Sequence, residues 1–313
     1  MDEEKMILTV TANPTIDKVY FVDDFKMGEV HRVKRTAISA GGKGINVARV
    51  AKQLGEEVIS MGFIGGAAGE FVKSETEKLG IVSSYTKICG ETRTNANISN
   101  ANGISGELLE IGPEVSEKEQ RDFIEQYKER IKKSKIICIS GSLPRGVSPQ
   151  FYCELVKIAK SQNKCVIVDT SGDTVKEVLK EKPFMIKPNS DEIENLLGYA
   201  PKDDNDIKNA LLFLKEKGVA LPLITLGKDG AAAMIENKFY RFLPPLVSVK
   251  NAVGSGDSTV SGIAVGIARG YCLLDAVKLG VASGTANTQF EQTGVISKNL
   301  AEKYFDEIKI IEI

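Results

Sequence analysis

The 313-residue chain has a single histidine, His31. One histidine rules out a metal site with several histidine ligands and argues against a Ser-His-Asp triad, so a Cys-His pair through His31 is the only formal alternative of this kind. The five cysteines are odd in number and scattered, without a CxxC pair. For most of them, this pattern is typical of reduced, buried thiols rather than of a disulfide framework.

The chain also lacks an excess of charge of either sign and any long apolar run. Its 41 basic and 42 acidic residues give a net charge of −1, which does not indicate a nucleic-acid surface. No apolar run approaches the roughly 18 residues that cross a bilayer, and the acidic start MDEEKMILTV is unlike a signal peptide. We therefore expect a cytoplasmic protein that binds neither nucleic acid nor membrane.

Short apolar runs alternate with helical patterns along most of the chain. Runs typical of buried strands occur at 6–12, 58–65, 135–141, 164–170, 184–189 and 221–227. Apolar residues at three-to-four spacing predict helices at 44–55, 69–80, 116–133, 148–162 and 190–198. Repeated units of this kind predict an α/β fold with a doubly wound, mainly parallel sheet and helices on both of its faces.

Two segments, at about 18–39 and 85–111, break this alternation. Both are strand-like, rich in turn residues and more polar than the other strands. These features predict a small antiparallel sheet with one solvated face, projecting from the main fold as a lid. Without an internal repeat or a long linker, residues 1–313 are expected to form one domain.

A glycine-rich stretch, AGGKGINVARV at 40–50, directly precedes a helical pattern. Gly42 lets backbone N–H groups approach a ligand, and a helix N-terminus favours anions or polar oxygens. Lys43 and Asn46 would add an ammonium and an amide to the same place. The spacing does not fit a Walker A loop, and an ordinary glycine turn before a helix is the structural alternative.

A second such stretch, VGSGD, precedes another helical run. Gly254, Ser255 and Gly256 would direct successive N–H groups toward a phosphoryl group in transfer. Asp257, on the first turn, is suited to accept the proton of an attacking hydroxyl. The helix dipole predicts a lowered pKa for Asp257, and a weak base suffices because phosphoryl transfer needs only late proton removal. The alternative for this aspartate is an acid that complements the dipole, and a dinucleotide fingerprint fails because Thr259 replaces its third glycine.

Other candidates follow strands or lie in the predicted lid. Asp17, in TANPTID, is placed to accept hydrogen bonds from sugar hydroxyls, or else to cap a turn. Arg93, in GETRTN, has a guanidinium fork suited to phosphate. Asn189 and Glu192, in IKPNSDE, fit a helix capping box and the water shell of a Mg²⁺ ion equally well.

The stretches AGGKGINVARV, SGSLPRG, KPNSDE and NAVGSGDSTVSG follow the order and spacing of the PfkB (ribokinase-like) carbohydrate kinases, which the chain resembles from about residue 6 onward. The resemblance implies ATP and Mg²⁺ as cofactors, a monovalent cation as a further candidate, a sugar phosphate as substrate, and a homodimer contact through the lid. TANPTID, GEVHRV and GETRTN resemble the ketohexose-phosphate kinases of this family. The serine of VGSGDST, where relatives often have alanine, favours phosphorylation of D-tagatose 6-phosphate at the C1 hydroxyl. Fructose 1-phosphate is the alternative acceptor.

The resemblance also implies roles for individual residues. Asp257 matches the catalytic base, and Gly254, Ser255 and Gly256 match its anion hole. A non-catalytic sensor on this scaffold would be expected to lose that aspartate or those glycines, and both are present. The other implied positions are Asp17, Gly42, Lys43, Asn46 and Arg93 for the sugar phosphate, Lys187, Asn189, Thr225, Gly227 and Gly284 for the nucleotide, and Glu192 with Asn189 for Mg²⁺ through water.

Overall fold

The structure, a computed structural model, describes residues 6–100 and 103–313. Its described strands are β1 (Met6–Thr11), β2 (Thr15–Phe21), β3 (Arg35–Gly41), β4 (Val58–Ile64), β5 (Val82–Ser83), β6 (Thr86–Lys87), β7 (Arg93–Asn100), β8 (Gly103–Leu108), β9 (Ser134–Ser140), β10 (Cys165–Asp169), β11 (Met185–Ile186), β12 (Leu223–Thr225), β13 (Ala231–Ile235), β14 (Lys238–Leu243) and β15 (Lys309–Glu312). Its described α-helices are α1 (Lys43–Leu54), α2 (Gly66–Lys78), α3 (Glu117–Arg130), α4 (Pro149–Ser161), α5 (Asp173–Leu179), α6 (Ser190–Leu197), α7 (Asp204–Glu216), α8 (Ser255–Ala268), α9 (Leu273–Asn287) and α10 (Lys298–Glu307).

A parallel sheet runs through the centre of the fold in the order β11-β10-β9-β1-β4-β5, and β6 also pairs with β4. Strands that are buried on both faces have continuous runs of apolar residues, so their positions could be predicted from the sequence. Helices α1 to α4 and α6 overlap the five predicted helical segments. The predicted doubly wound α/β fold is confirmed.

Helices cover both faces of this sheet. Successive side chains of a strand point to opposite faces. In β1, Ile7 packs into a core formed with α1, α8, α9 and α10, whereas Leu8 and Val10 pack into a second core with α3 to α7. The carboxyl ends of the strands therefore lie between two layers of helices.

The predicted strand at 221–227 departs from the parallel pattern. Its ordered part, β12, pairs antiparallel with β13 in a four-stranded sheet of order β12-β13-β14-β15. It nevertheless lies beside β11, because the Leu221 N–H donates to the Phe184 carbonyl at 2.8 Å and the Thr225 N–H donates to the Pro188 carbonyl at 3.0 Å. An apolar run this short does not show whether its strand pairs in a parallel or an antiparallel way.

Strands from the two polar segments form another four-stranded sheet, in the order β3-β2-β7-β8. The pairs β2–β3 and β7–β8 are antiparallel, but β2 and β7 are parallel. The sheet is therefore mixed, and the prediction of a fully antiparallel sheet is wrong. The reason is that β2 and β7 each follow a strand of the parallel sheet. Residues 101 and 102 of the predicted segment lie outside the described residues. Among residues 6–100 and 103–313, no helix is long and apolar enough to cross a membrane.

Helices α8 and α9 approach each other closely where both carry small residues. A Cβ at Gly262 would lie 2.6 Å from the Leu279 carbonyl oxygen and 2.7 Å from Gly280 Cα. A Cβ at Gly266 would lie 2.7 Å from Ala276 Cα. These glycines allow α8 to pack against α9, and this packing fixes the direction in which the N-terminus of α8 points.

We predict that Gly262→Ala lowers the free energy of unfolding by about 1–3 kcal/mol, the usual effect of overpacking. Denaturant titration followed by circular dichroism measures it. Gly106→Ala is the matched control, because a Cβ there would meet only Ile98 Cδ1, at 3.9 Å. The control should stay within about 0.5 kcal/mol of wild type. Equal stability of the Gly262 variant and wild type would contradict the close packing.

Candidate active site

Buried polar atoms without a hydrogen-bond partner gather at the carboxyl edge of the parallel sheet. Among the described residues they include Thr11 Oγ1, Asn13 Oδ1 and Ser140 Oγ. Buried polar groups are nearly always paired in folded proteins. In α/β sheets, ligands bind outside the carboxyl ends of the strands. The unpaired atoms therefore mark this edge as a site for a polar ligand.

Helix α8 begins at this edge. Gly254 precedes it with φ of 82°, and a Cβ there would lie 2.5 Å from Thr293 Cγ2, so this position requires glycine. The Ser255 N–H donates to a carbonyl of the preceding turn at 3.2 Å, which removes it from the predicted anion nest. Within the described chain, the N–H groups of Gly256 and Asp257 have no acceptor. These two donors at the positive end of the helix remain free for an anion.

The Asp257 carboxyl is buried on the first turn of α8, and its Oδ2 accepts a hydrogen bond of 2.8 Å from Asn46 Nδ2. Burial and the nearby Asp169 carboxylate raise the pKa of Asp257 to about 6, against the opposing effects of Lys43, Asn46 and Lys187. The lowered pKa expected from the helix dipole is therefore wrong. Removing a carboxylate from water beside a second carboxylate outweighs the field of one helix end.

Asp169 is a functional candidate that the sequence motifs did not indicate. It ends β10, is almost fully buried, and binds Lys43 Nζ at 3.2 Å through Oδ1 and Lys187 Nζ at 3.5 Å through Oδ2. A Cβ at Gly256 would lie 3.2 Å from Lys187 Nζ, so this ammonium lies directly beside the α8 N-terminus. Its position at the end of the apolar run CVIVD, where a buried strand ends, could have indicated a site residue.

Gly42, Lys43 and Asn46 lie together at the start of α1, as predicted. Gly42 has φ of 108°, and a Cβ there would lie 2.7 Å from Thr11 Cγ2. Close approach of the backbone therefore requires glycine at this position. Arg49, on the next turn, also went unnoticed in the sequence, although it donates a hydrogen bond of 3.0 Å to Asn46 Oδ1.

The predicted sugar-phosphate residues of the lid lie at the base of its sheet. Asp17 Oδ1 accepts a hydrogen bond of 3.2 Å from Asn95 Nδ2, and burial raises the pKa of Asp17. Arg93 donates to the Glu110 carbonyl at 2.9 Å and to the Asn13 carbonyl at 3.0 Å. Arg93 and Arg145 line a cavity of about 670 Å³. Arg145 lies in SGSLPRG, one of the motifs shared with the family, but no role was predicted for this arginine.

Asn189 and Glu192 form a capping box at the start of α6. Asn189 Oδ1 accepts from the Glu192 N–H at 2.8 Å, and Glu192 Oε2 accepts from the Asn189 N–H at 3.0 Å. Among the described residues, no group of three or more acidic, histidine or cysteine side chains forms a metal cage. Mg²⁺ at phosphoryl-transfer sites usually binds one or two carboxylates, several waters and the substrate phosphates. The second carboxylate oxygen of Glu192 fits that mode.

The remaining nucleotide candidates lie in two places. Thr225 is bridged to Asn189 across adjacent chain segments, and Gly227 begins a 3₁₀ turn (Gly227–Asp229) with φ of 57° and open space around it. Gly284 is instead enclosed, because a Cβ there would lie 2.5 Å from Thr259 Oγ1. Packing of α9 against α8 accounts for this glycine, and its contact with a nucleotide stays a prediction.

Phosphoryl transfer requires positioning and charge stabilisation more than covalent chemistry from the protein. This edge provides a buried carboxylate, free helix N–H groups and two lysines, so the fold and site together define a small-molecule kinase. Residues 8–299 match the pfkB family carbohydrate kinases, and the chain belongs to that family. The family inferred from the motifs is confirmed, and with it an ATP-dependent sugar-phosphate kinase.

Individual relatives agree with this assignment over nearly the whole chain. The chain is 39% identical to tagatose-6-phosphate kinase of Staphylococcus epidermidis, over 98% of this chain and 100% of that protein. It is similar in structure to a putative phosphofructokinase from Staphylococcus aureus, with TM-score 0.85, 32% identity, and coverage of 98% and 99% of the two chains. Phosphofructokinase-2 from Escherichia coli, in complex with potassium, gives TM-score 0.89, 27% identity and coverage of 96% and 98%.

We predict that Asp257→Asn increases the melting temperature at pH 8, and increases it less at pH 5. Asparagine still accepts the hydrogen bond from Asn46 but carries no buried charge. The pKa of Asp257 is raised from 3.8 to about 6 in the folded state, so its ionisation destabilises the fold progressively as pH rises through this window. Scanning fluorimetry at both pH values measures the difference. A variant that melts below wild type at both would contradict the prediction.

Proposed function

We propose that the protein transfers the γ-phosphoryl group of ATP to the C1 hydroxyl of D-tagatose 6-phosphate, giving D-tagatose 1,6-bisphosphate. The observation that carries the chemistry is the position of Asp257, buried beside the free N–H of Gly256 and held by Asn46. The 39% identity to a tagatose-6-phosphate kinase over 98% of the chain supports the choice of acceptor.

In the proposed mechanism Asp257 accepts the proton of the attacking hydroxyl. Its pKa of about 6 leaves it ionised at neutral pH and makes it a stronger base than an exposed aspartate. Because Oδ2 is held by Asn46, Oδ1 is left for the substrate. The N–H groups of Gly256 and Asp257 stabilise the negative charge of the phosphoryl group in transfer.

The other candidates are assigned by their positions around this centre. Asp17, Gly42 and Asn46 would bind sugar hydroxyls, and Lys43, Arg93 and Arg145 would bind the sugar phosphate. Lys187, Asn189, Thr225, Gly227 and Gly284 would contact the nucleotide, with Gly254 and Ser255 shaping the start of α8. Glu192 would hold Mg²⁺ through water, and the ion would neutralise phosphate charge.

The lid contributes the remaining parts of the proposal. We assign residues 1–313 to one domain whose lid segments, at about 18–39 and 85–111, close over the acceptor and exclude water. The same sheet would form a homodimer contact. The E. coli relative that was solved with potassium supports a monovalent cation as a further cofactor.

We predict that Asp257→Asn lowers kcat at least about 10²-fold, because an amide cannot take the hydroxyl proton. Binding of a non-hydrolysable ATP analogue should remain largely intact, since the nucleotide contacts are assigned to other residues. In wild type, kcat should fall as pH drops below about 6, where Asp257 becomes protonated. Coupled assays and calorimetric titration measure these quantities. Near-normal turnover of the variant would overturn the mechanism.

The acceptor is tested by comparing kcat/KM for D-tagatose 6-phosphate, D-fructose 1-phosphate and D-fructose 6-phosphate. We expect the highest value for tagatose 6-phosphate. The second candidate is a 1-phosphofructokinase, because TANPTID and GETRTN are shared with that branch of the family. A highest value for fructose 1-phosphate would replace the proposed acceptor and leave the role of Asp257 unchanged.

A further inference from the structure

Arg49 is a buried cation at the centre of the site that the proposed mechanism does not use. Its side chain is 7% exposed and donates to acceptors from three parts of the chain. These are Asn46 Oδ1 on α1 at 3.0 Å, the Thr293 carbonyl in the loop after α9 at 2.9 Å, and the Ala40 carbonyl of lid strand β3.

Within the described chain, Arg49 makes no direct ion pair. Burial lowers the pKa of Arg49, and only more distant acidic groups, Asp17, Tyr85 and Asp257 among them, oppose this effect. A buried charge without a directly paired partner is costly in a protein interior. The three hydrogen bonds engage the guanidinium without neutralising its charge, and a methionine of similar length would avoid the cost of burying that charge.

The hydrogen-bonding chemistry of arginine determines how Asn46 is oriented. A guanidinium has donors and no acceptor, so the Asn46 group that faces Arg49 must be its oxygen. The amide nitrogen of Asn46 must then face Asp257, to which it donates at 2.8 Å. In the flipped orientation an amide nitrogen would face the guanidinium and an amide oxygen would face the carboxylate, so both contacts would be repulsive.

We propose that Arg49 is a positioning residue that holds the Asn46 amide in the orientation that donates to Asp257. Through the same guanidinium, the lid strand and the 293–294 loop are tied to this pair. The inference rests on the proposed role of Asp257 as the base. Arg49 would keep Asn46 hydrogen-bonded to Oδ2 of Asp257, so that Oδ1 stays available for the substrate hydroxyl.

The charges around Asp257 allow this role to be measured. Asp169 faces it from β10, Lys43 and Asn46 from α1, and Lys187 from the segment after β11. Arg49 adds a more distant positive charge, and of these groups it contacts only Asn46. The direct effect of that charge persists in the Asn46→Ala background, so the double-mutant cycle separates it from the effect through Asn46. Loss of the oriented amide removes a donor to the ionised carboxylate, so the acidic limb of the kcat–pH profile should move to higher pH.

The test is a double-mutant cycle between Arg49→Met and Asn46→Ala, assayed with the ketohexose phosphate that wild type uses best. We expect Arg49→Met to lower kcat about tenfold or more and to move the acidic limb upward, with KM for ATP little changed. In the Asn46→Ala background, the same change should alter kcat less than about twofold, because Arg49 acts through Asn46.

Arg269→Met is the matched control. Arg269 is a partly buried arginine that donates to the Leu54 carbonyl and to Glu56, at the opposite end of α1. It should lower the melting temperature without moving the pH limb, and its effect should be the same with or without Asn46. Arg49→Lys keeps the charge but loses the planar fork. Arg49→Lys should therefore keep part of the kcat that Arg49→Met loses. If Arg49→Met does not fold, Arg49→Lys replaces it in the double-mutant cycle.

An unchanged kcat and pH limb in the Arg49 variant would overturn the inference. The inference would also be overturned if the fold-changes in kcat of the Arg49 and Asn46 variants simply multiplied in the double mutant. Such independence is the expected result for Arg269. Asp257→Asn, measured alongside, separates the two levels of the proposal. If it turns over normally, the proposed mechanism fails; if it is inactive while the Arg49 variant is fully active, only the inference fails.

Discussion

Two carboxylates buried in one site, Asp169 and Asp257, set the conditions for everything around them. They cannot both be ionised there without nearby positive charge. Both lysines of the site bind Asp169, so Asp257 keeps a raised pKa and only a neutral hydrogen-bond donor. Asp169 holds the two lysines in place, and Asp257 keeps the raised pKa on which its proposed role as a base depends.

This arrangement depends on two helices that begin without a side-chain cap. The N-terminal residues Gly42 and Gly254 both have positive φ, and neither α1 nor α8 has a side-chain hydrogen bond at its start. Helices α3 and α6, by contrast, close their first turns with capping boxes. Helices α2, α4, α5, α9 and α10 also lack a side-chain cap, so the position of α1 and α8 matters as much as the missing cap. A capped helix has satisfied its own N–H groups, whereas an uncapped one presents them to whatever lies in front of it. At α1 and α8, what lies in front is the carboxyl edge of the sheet.

The sequence was a good guide to features that extend over many residues and a poor one to single buried polar groups. Strands buried on both faces and glycine-rich helix starts have a local signature, so the sheet and the two helix starts were predicted. Asp169 ends an apolar run and Arg49 lies between apolar residues, and several of the groups that they contact are distant in the chain. Arg49 did carry a signal, since it lies three residues after Asn46 and thus on the same face of α1. The pKa direction of Asp257 failed for a related reason, because burial and the second carboxylate depend on the assembled fold.

Ser255 resembles the tagatose-6-phosphate kinases in sequence, but its contacts in the structure are with the protein itself. Its serine favoured the tagatose branch, yet its N–H is engaged in the preceding turn and its hydroxyl lies 3.3 Å from Asn287 Nδ2. Asn287 also donates to the Val253 carbonyl and accepts from the Gly294 N–H, so Ser255 belongs to the contact between α8 and the end of α9. A residue occupied in this way reports ancestry rather than recognition of a hydroxyl. Epimers at C4 differ in the direction of one hydroxyl, and a site discriminates such pairs best through a buried polar atom that only one of them satisfies. In the lid, Asn95 donates to Asp17 through Nδ2, while its Oδ1 is buried without a hydrogen-bond partner.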